Sequence, residues 1–493
     1  MTTSPSAITL PVAIIGAGPV GLAAAAHLAE RDEPFVVIEA GPGPGAAVRE
    51  WGHVQVFSPW RYNIDAAAWR LLEATGWSMP DAEAYPTGNE LVDVYLAPLA
   101  AHPAIAPHVR YGERVVAVSR DGLDKMKDAD RAAHPFVVVL TRSGADDERI
   151  VQARAVIDAS GTWNAPNPLG ANGLPVPGEH ALAGRIRYAI PDVLGIERAR
   201  YAGKRVLVVG SGHSAFNALQ DLMTLAGEVP ETRVIWAVRR PTTAQLFGGE
   251  TADALPERGS LGQRIRQLAE TGAIQVETGV RIQRLEQTEG GIVVQTASGA
   301  LPPVDEIVAA TGFRPDLGML REVRLDLDPS LESPSILAPM IDPNLHSCGT
   351  VPPHGAEQLR HPEPDLYIAG MKSYGRAPTF LMLTGYEQVR SIAAALTGDL
   401  EGARRVELVL PETGVCSSSR GGAGEAGCCG TVAQSTIVAE QTGCCDDPAL
   451  PAATCCGGNA TAAPVIQIGR ERRPEPAGVG TVGTASTAKV PCC

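Results

Sequence analysis

Two six-residue stretches, Gly16-Ala17-Gly18-Pro19-Val20-Gly21 and Gly210-Ser211-Gly212-His213-Ser214-Ala215, have the composition to hold a phosphate against bare backbone. In such a turn the first glycine permits the tight reversal and the second lets the backbone approach a pyrophosphate. The third position, glycine or alanine, brings a helix close to its strand, with the helix's first amides facing the phosphates. The charges that follow the two turns differ in sign. Glu39, just before Ala40 and 18 residues after Gly21, is placed to accept hydrogen bonds from both hydroxyls of a ribose. Arg239 and Arg240 stand at the matching place in the second unit, where a carboxylate would repel a 2′-phosphate and a guanidinium can pair with it. The chemistry these residues predict is the holding of two dinucleotides, the second of them NADPH.

The elements around each turn agree with that reading. Val12 to Ile15 is a strand, an alanine-rich helix follows, and Phe35 to Ile38 is a second strand. In the second unit the strand is Val206 to Val209, the helix is Phe216 to Leu225, and the next strand, Arg233 to Val238, runs into the two arginines.

A chain of 493 residues has room for two or three domains with ample cores. Its net charge of −14 argues against a nucleic-acid partner, which would need a basic face. No apolar run is long enough for a membrane helix, and the apolar N-terminal region lacks the basic start of a signal peptide. These features predict a cytoplasmic protein acting on a small-molecule substrate.

Taken in order, residues 41 to 65 are too rich in Gly, Pro and aromatics for a regular element and are suited to wrapping a flat ligand; Trp51, Phe57, Trp60, Tyr62 and Asn63 are candidates for that wall. A helix opened by Tyr85 to Glu90 should be kinked or ended by Pro98. Three strand-like runs near 109–118, 136–141 and 150–157 read as a β-meander leading into Asp158-Ala159-Ser160-Gly161. A further meander through 274–285 and 291–296 leads to Ala310-Thr311-Gly312. Ser160-Gly161 and Thr311-Gly312 thus mark two crossings between nucleotide-binding domains, with small residues where backbone passes close to another segment or a cofactor. His346, Cys348, His354 and His361 fall close together, but their spacing matches no standard zinc pattern. Leu366 to Gly370 is a last strand, Gly370 being a further cofactor-site candidate, and Phe380 to Leu396 is a helix.

Nine of the ten cysteines lie at or beyond Cys416. Eight form adjacent pairs: Cys428-Cys429, Cys444-Cys445, Cys455-Cys456 and Cys492-Cys493. Beyond about residue 406 there is no Phe, Trp or Tyr, and such a composition predicts a disordered tail. Adjacent Cα atoms are about 3.8 Å apart, below the usual disulfide range, so each pair should persist as a dithiol and chelate a soft metal or metalloid such as arsenite or mercury.

The series GAGPVG with Glu39, YPTG, DASGTWNAPNP, GSGHSA with Arg239 and Arg240, and ATGFRP resembles flavoproteins with two dinucleotide-binding domains, and among them the class B flavin-containing monooxygenases. The resemblance implies an α/β fold of two Rossmann-like domains with β-meander insertions, FAD in the first and NADPH in the second. It also implies oxygenation of a soft nucleophile, a sulfur, nitrogen or arsenic compound. It sets Asn63 near a flavin-adjacent asparagine and Trp163 near the second-domain crossing; Asn63, with Trp60 of the same aromatic loop, is the catalytic candidate. On this basis residues 1–168 and 304–405 form the FAD domain, 169–303 the NADPH domain and 406–493 the cysteine tail. The chain departs from those monooxygenases in lacking Phe-Gly-His between 183 and 193, and its body holds no paired cysteines. A reductase, or a metalloid-binding flavoprotein passing electrons to a partner or to a tail-bound metal, is the alternative. The tail is similar to paired cysteines appended to arsenic- and mercury-handling proteins, which extends the resemblance to flavoproteins of arsenic resistance.

Overall fold

A computed structural model describes residues 9–142, 147–243, 246–247, 256–345, 351–378 and 380–408. Two parallel five-stranded sheets dominate these residues. In the first, β1 (Val12–Ile15) lies between β2 (Phe35–Glu39) and β7 (Ala155–Asp158), with β3 (Val109–Tyr111) and β16 (Leu366–Ile368) at the edges. In the second, β9 (Arg205–Val209) lies between β10 (Arg233–Ala237) and β15 (Glu306–Ala309), with β11 (Gln275–Glu277) and β8 (Ile186–Tyr188) outside. Helix α1 (Pro19–Ala29) follows β1, α2 is Ala66–Glu73, and α3 (His213–Glu228) follows β9. Helix α4 (Pro256–Glu270) and α5 (Met382–Leu396) complete the long helices. The central strands are buried on both faces, as parallel strands covered by helices must be, which is why they read as unbroken β-branched runs.

The antiparallel insertions are β4–β5–β6 (Glu113–Arg120, Phe136–Arg142, Glu148–Ala153) and β12–β13–β14 (Ile282–Thr288, Gly291–Thr296, Gly299–Ala300). Each expected meander therefore gives up part of its runs to a parallel sheet: Val109–Tyr111 and Ala155–Asp158 leave the first meander for the first sheet, and Gln275–Glu277 leaves the second meander for the second sheet. The break before Ala155 falls at Arg154, whose amide is turned to Pro11 O and whose guanidinium pairs with Glu33 and reaches Leu396 O.

Four further features differ from the sequence-based expectation. Strand β15, assigned above to the returning part of the FAD domain, pairs with β9 and β8, so the second sheet extends past residue 303. The helical stretch from Gly88 to Ala100 does not end at Pro98; its middle turn, Leu91–Leu96, is a π-helix. The wider ring changes the hydrogen-bond register just before Pro98, which has no N–H to donate, and that lets the helix continue. Helix α4 was not foreseen, and the loop at 41–65 contains short helical turns at Ala46–Arg49 and Trp60–Tyr62.

Candidate functional site

The two glycine turns are built alike. Gly16 has φ +101° and Gly210 φ +134°, conformations that favour glycine, and a Cβ on either would strike a crossing: Ala159 O at 2.9 Å from Gly16, Ala310 O at 2.2 Å from Gly210. Gly21 lies under the turn, where a Cβ would be 1.9 Å from Gly16 O. Gly18 and Gly212, the N-caps of α1 and α3, have no protein atom within 4 Å of their Cβ positions and no side-chain cap on their helices. Pro19 opens α1, where its missing N–H costs nothing. Helix starts without a side-chain cap, beside open backbone, are what a pyrophosphate requires, so both turns fit a dinucleotide.

Glu39 ends β2 beside the first turn. One carboxylate oxygen accepts from Ala17 N and the other from Gly41 N, both at 2.7 Å. These bonds hold the carboxylate against the turn and leave further lone pairs for ribose hydroxyls. Ala40 follows in the bend. In the second unit Trp236 Nε1 donates to Gly210 O at 2.7 Å, and Arg239 and Arg240 stand exposed just past β10. Ser211 is exposed, Ser214 lies in the first turn of α3, and His213 makes an edge contact with Phe57 at 5.3 Å.

The two crossings are hydrogen-bonded to each other. Asn167 N donates to Gly312 O at 2.9 Å, Arg314 N to Ala165 O at 3.0 Å, and Thr311 Oγ1 to Asn167 O at 2.5 Å. Trp163 stacks on Phe313 at 4.9 Å, and its Nε1 donates to Glu50 at 2.8 Å. The Thr311 hydroxyl thus serves the junction, while Gly161 (φ +69°) and Gly312 (φ +84°) supply its left-handed corners.

Trp60 and Asn63 do not line an open wall. Both are buried by protein alone, Trp60 in the first domain's core. The Asn63 amide donates to Ser58 O and Pro59 O at 2.7 and 3.0 Å and accepts from Ser58 Oγ at 2.7 Å. With its hydrogen bonds spent and no surface exposed, Asn63 is a staple for the loop and Trp60 its anchor. The resemblance marks Asn63 and the aromatic composition of the loop marks Trp60, but burial is a property of the packed chain that neither encodes.

Several residues near the first turn escaped sequence reasoning. Lys372 Nζ is 2.6 Å from Asp158 Oδ2 and 3.1 Å from Ser160 Oγ, and Asp158 Oδ1 accepts from Ser160 N and Oγ. Gln388 on α5 accepts from Gly370 N at 2.7 Å and donates to His354 Nε2 and Ser373 Oγ, both at 2.9 Å. Gly370 (φ +71°) lets the chain turn over Val20 of α1. His354 is thereby a strut, its other nitrogen on Pro352 O, and His361 accepts from Asp326 N elsewhere. His346, Cys348 and the paired cysteines 428–429, 444–445, 455–456 and 492–493 lie outside the described residues. Among the described residues no group of three potential metal ligands occurs, and no helix is long and apolar enough to cross a membrane.

The family described as pyridine nucleotide-disulphide oxidoreductase matches residues 13–335. A ferredoxin–NADP reductase of Salinispora tropica is 28% identical over 320 residues, 64% of this chain and 78% of that protein. The bacillithiol disulfide reductase Bdr (YpdA) of Bacillus cereus shares the fold with a TM-score of 0.59 at 20% identity, covering 79% of this chain and 99% of that one. The flavin-containing monooxygenase of Stenotrophomonas maltophilia has a TM-score of 0.50 at 22% identity, covering 79% and 99%. With two nucleotide turns in place and the family match spanning both, the chain belongs to the pyridine nucleotide-disulphide oxidoreductase family and is an oxidoreductase using FAD and NADP(H).

Proposed function

We propose that this chain is an NADPH-dependent FAD monooxygenase acting on a small soft nucleophile, a sulfur, nitrogen or arsenic compound. The observation that carries the reading is the pairing of two nucleotide turns with a core that has no cysteine before Cys348. No dithiol in the matched segment can take electrons, so the acceptor is external. Bound FAD supplies the electron transfer between nicotinamide and that acceptor. The chain's own residues bind and orient: Glu39 receives the FAD ribose, the first amides of α1 and α3 receive the two pyrophosphates, and Arg239 with Arg240 selects the 2′-phosphate. Ser160-Gly161 and Thr311-Gly312 keep the two halves in register.

The test is anaerobic reduction of the purified protein by NADPH and by NADH, followed by air and a panel of sulfur, nitrogen and arsenic compounds. An oxygenated product formed in proportion to NADPH supports the reading; hydrogen peroxide as the sole product with every compound overturns it.

The second reading is a reductase passing electrons to a partner protein or quinone, favoured by the similarity to ferredoxin–NADP reductases over 64% of the chain. Anaerobic turnover with ferredoxin or a quinone would distinguish it. Under either reading the tail dithiols hold a thiophilic metal or metalloid in the reducing cytoplasm, the feature that ties the protein to arsenic resistance. Truncation after residue 405 should leave NADPH oxidation unchanged and abolish arsenite binding.

A further inference from the structure

A cleft of about 170 Å³ lies between the loop His53–Phe57 and helices α3 and α4; it borders the second glycine turn, but none of its lining residues belongs to either turn. Its floor is fixed from both domains, because Phe57 leaves the first-domain loop to pack against the second domain's core and the His213 ring. Val54, Val56 and Leu261 give it an apolar side. Gln220 and Asp221 from α3, with Glu257 and Arg264 from α4, give it a polar one.

The charges in this cleft are unbalanced. Arg264 is directed sideways, its Nε donating to Gln220 Oε1 and its Nη1 to Ser260 Oγ, both at 2.8 Å. Among the described residues no lysine or arginine pairs with Asp221. Burial, together with the Asp192 carboxylate on the neighbouring loop, pushes the Asp221 carboxyl up to about 6. At neutral pH Asp221 is therefore ionised yet short of a counter-charge, with Glu257 adding a second carboxylate to the same cleft. His53 also lines the cleft, and its Nε2 is buried without a hydrogen-bond partner.

We propose that this cleft binds a small organic cation, an alkylammonium or alkylguanidinium of a few carbons, with its charged head on Asp221 and its alkyl part against Val54, Val56 and Leu261. The aliphatic wall favours such a ligand over a bare metal ion, and the cation supplies the charge that Asp192 and Glu257 cannot.

The test is calorimetric titration of the full-length protein with n-butylammonium and its neutral analogue n-butanol. Butylammonium should bind and butanol should not. Affinity should weaken by about tenfold from pH 7.5 to 5.0 as Asp221 gains a proton. Asp221→Asn should weaken binding at least tenfold at pH 7.5. Asp192→Asn keeps an acceptor for Ile196 N but removes the neighbouring charge, so the midpoint of the pH dependence should fall below 6. His53→Gln should leave that midpoint in place, separating Asp221 from the imidazole as the titrating group. Equal binding of the two ligands, no binding of either, unchanged affinity in Asp221→Asn, or a midpoint that follows His53 would each overturn the proposal.

Discussion

Lys372 Nζ lies 2.6 Å from Asp158 Oδ2, and both side chains are buried. Asp158 ends β7 beside the first glycine turn, and Lys372 comes from the turn after β16, so the pair ties the neighbouring ends of two strands to Ser160. Removing one partner leaves the other as a buried, uncompensated charge. Lys372→Met should therefore destabilise the protein by about 3–5 kcal/mol, measured by urea unfolding of the purified variant. Lys372→Met combined with Asp158→Asn should recover much of that loss, because the amide is neutral and still accepts from Ser160.

The glycines of the first turn should fail in different ways. A methyl at position 18 meets no protein atom and enters only the space proposed for the pyrophosphate. Gly18→Ala should therefore fold cooperatively but retain severalfold less flavin, read from the absorbance ratio of purified protein. Gly21→Ala collides with Gly16 O and should compromise folding itself, seen as loss of soluble protein. A Gly18→Ala protein carrying a full complement of flavin would contradict the placement.

Arg239→Ala should raise KM for NADPH by about tenfold to a hundredfold, the worth of a hydrogen-bonded charge on phosphate, with kcat and the NADH kinetics little changed. A change of equal size with both nucleotides would show that Arg239 does not read the 2′-phosphate.

Two titratable groups should bend the pH dependence of stability in opposite directions. Burial holds the His361 imidazole down to about 4, against an ordinary value of 6.5. The unfolded chain takes up that proton first, so stability is lost as pH falls from 6.5 towards 4. His361→Asn, which keeps an acceptor, should flatten the fall in Tm over that range. Asp221 has the reverse sign: its carboxyl is raised from 3.8 to about 6, so stability is lost as pH rises between those values. Asp221→Asn should raise Tm at pH 7.5 relative to the native protein and lose that advantage near pH 4.

The features legible in the sequence are those whose geometric requirements are local. Gly16 and Gly210 must adopt positive φ, Gly21 must lie under a carbonyl, and Glu39 must end the strand beside the turn; each demand shows as a residue type at a fixed spacing. The central strands announce themselves because burial on both faces requires an unbroken apolar run. The three-residue edge strands, such as Gln275–Glu277 and Ile186–Tyr188, carry too few residues for a periodic signal and are defined only by the neighbour they pair with.

What the sequence by itself determined is the order of two dinucleotide folds and the opposite charge that follows each turn, since turn geometry and charge sign are written in adjacent residues. The tertiary structure alone decided that Asn63 is a buried staple, that Glu306–Ala309 belongs to the second sheet, and that Lys372 meets Asp158 across 214 positions of sequence. Burial and ion pairing depend on which distant segments pack together, and no spacing rule along one chain encodes a partner so far away.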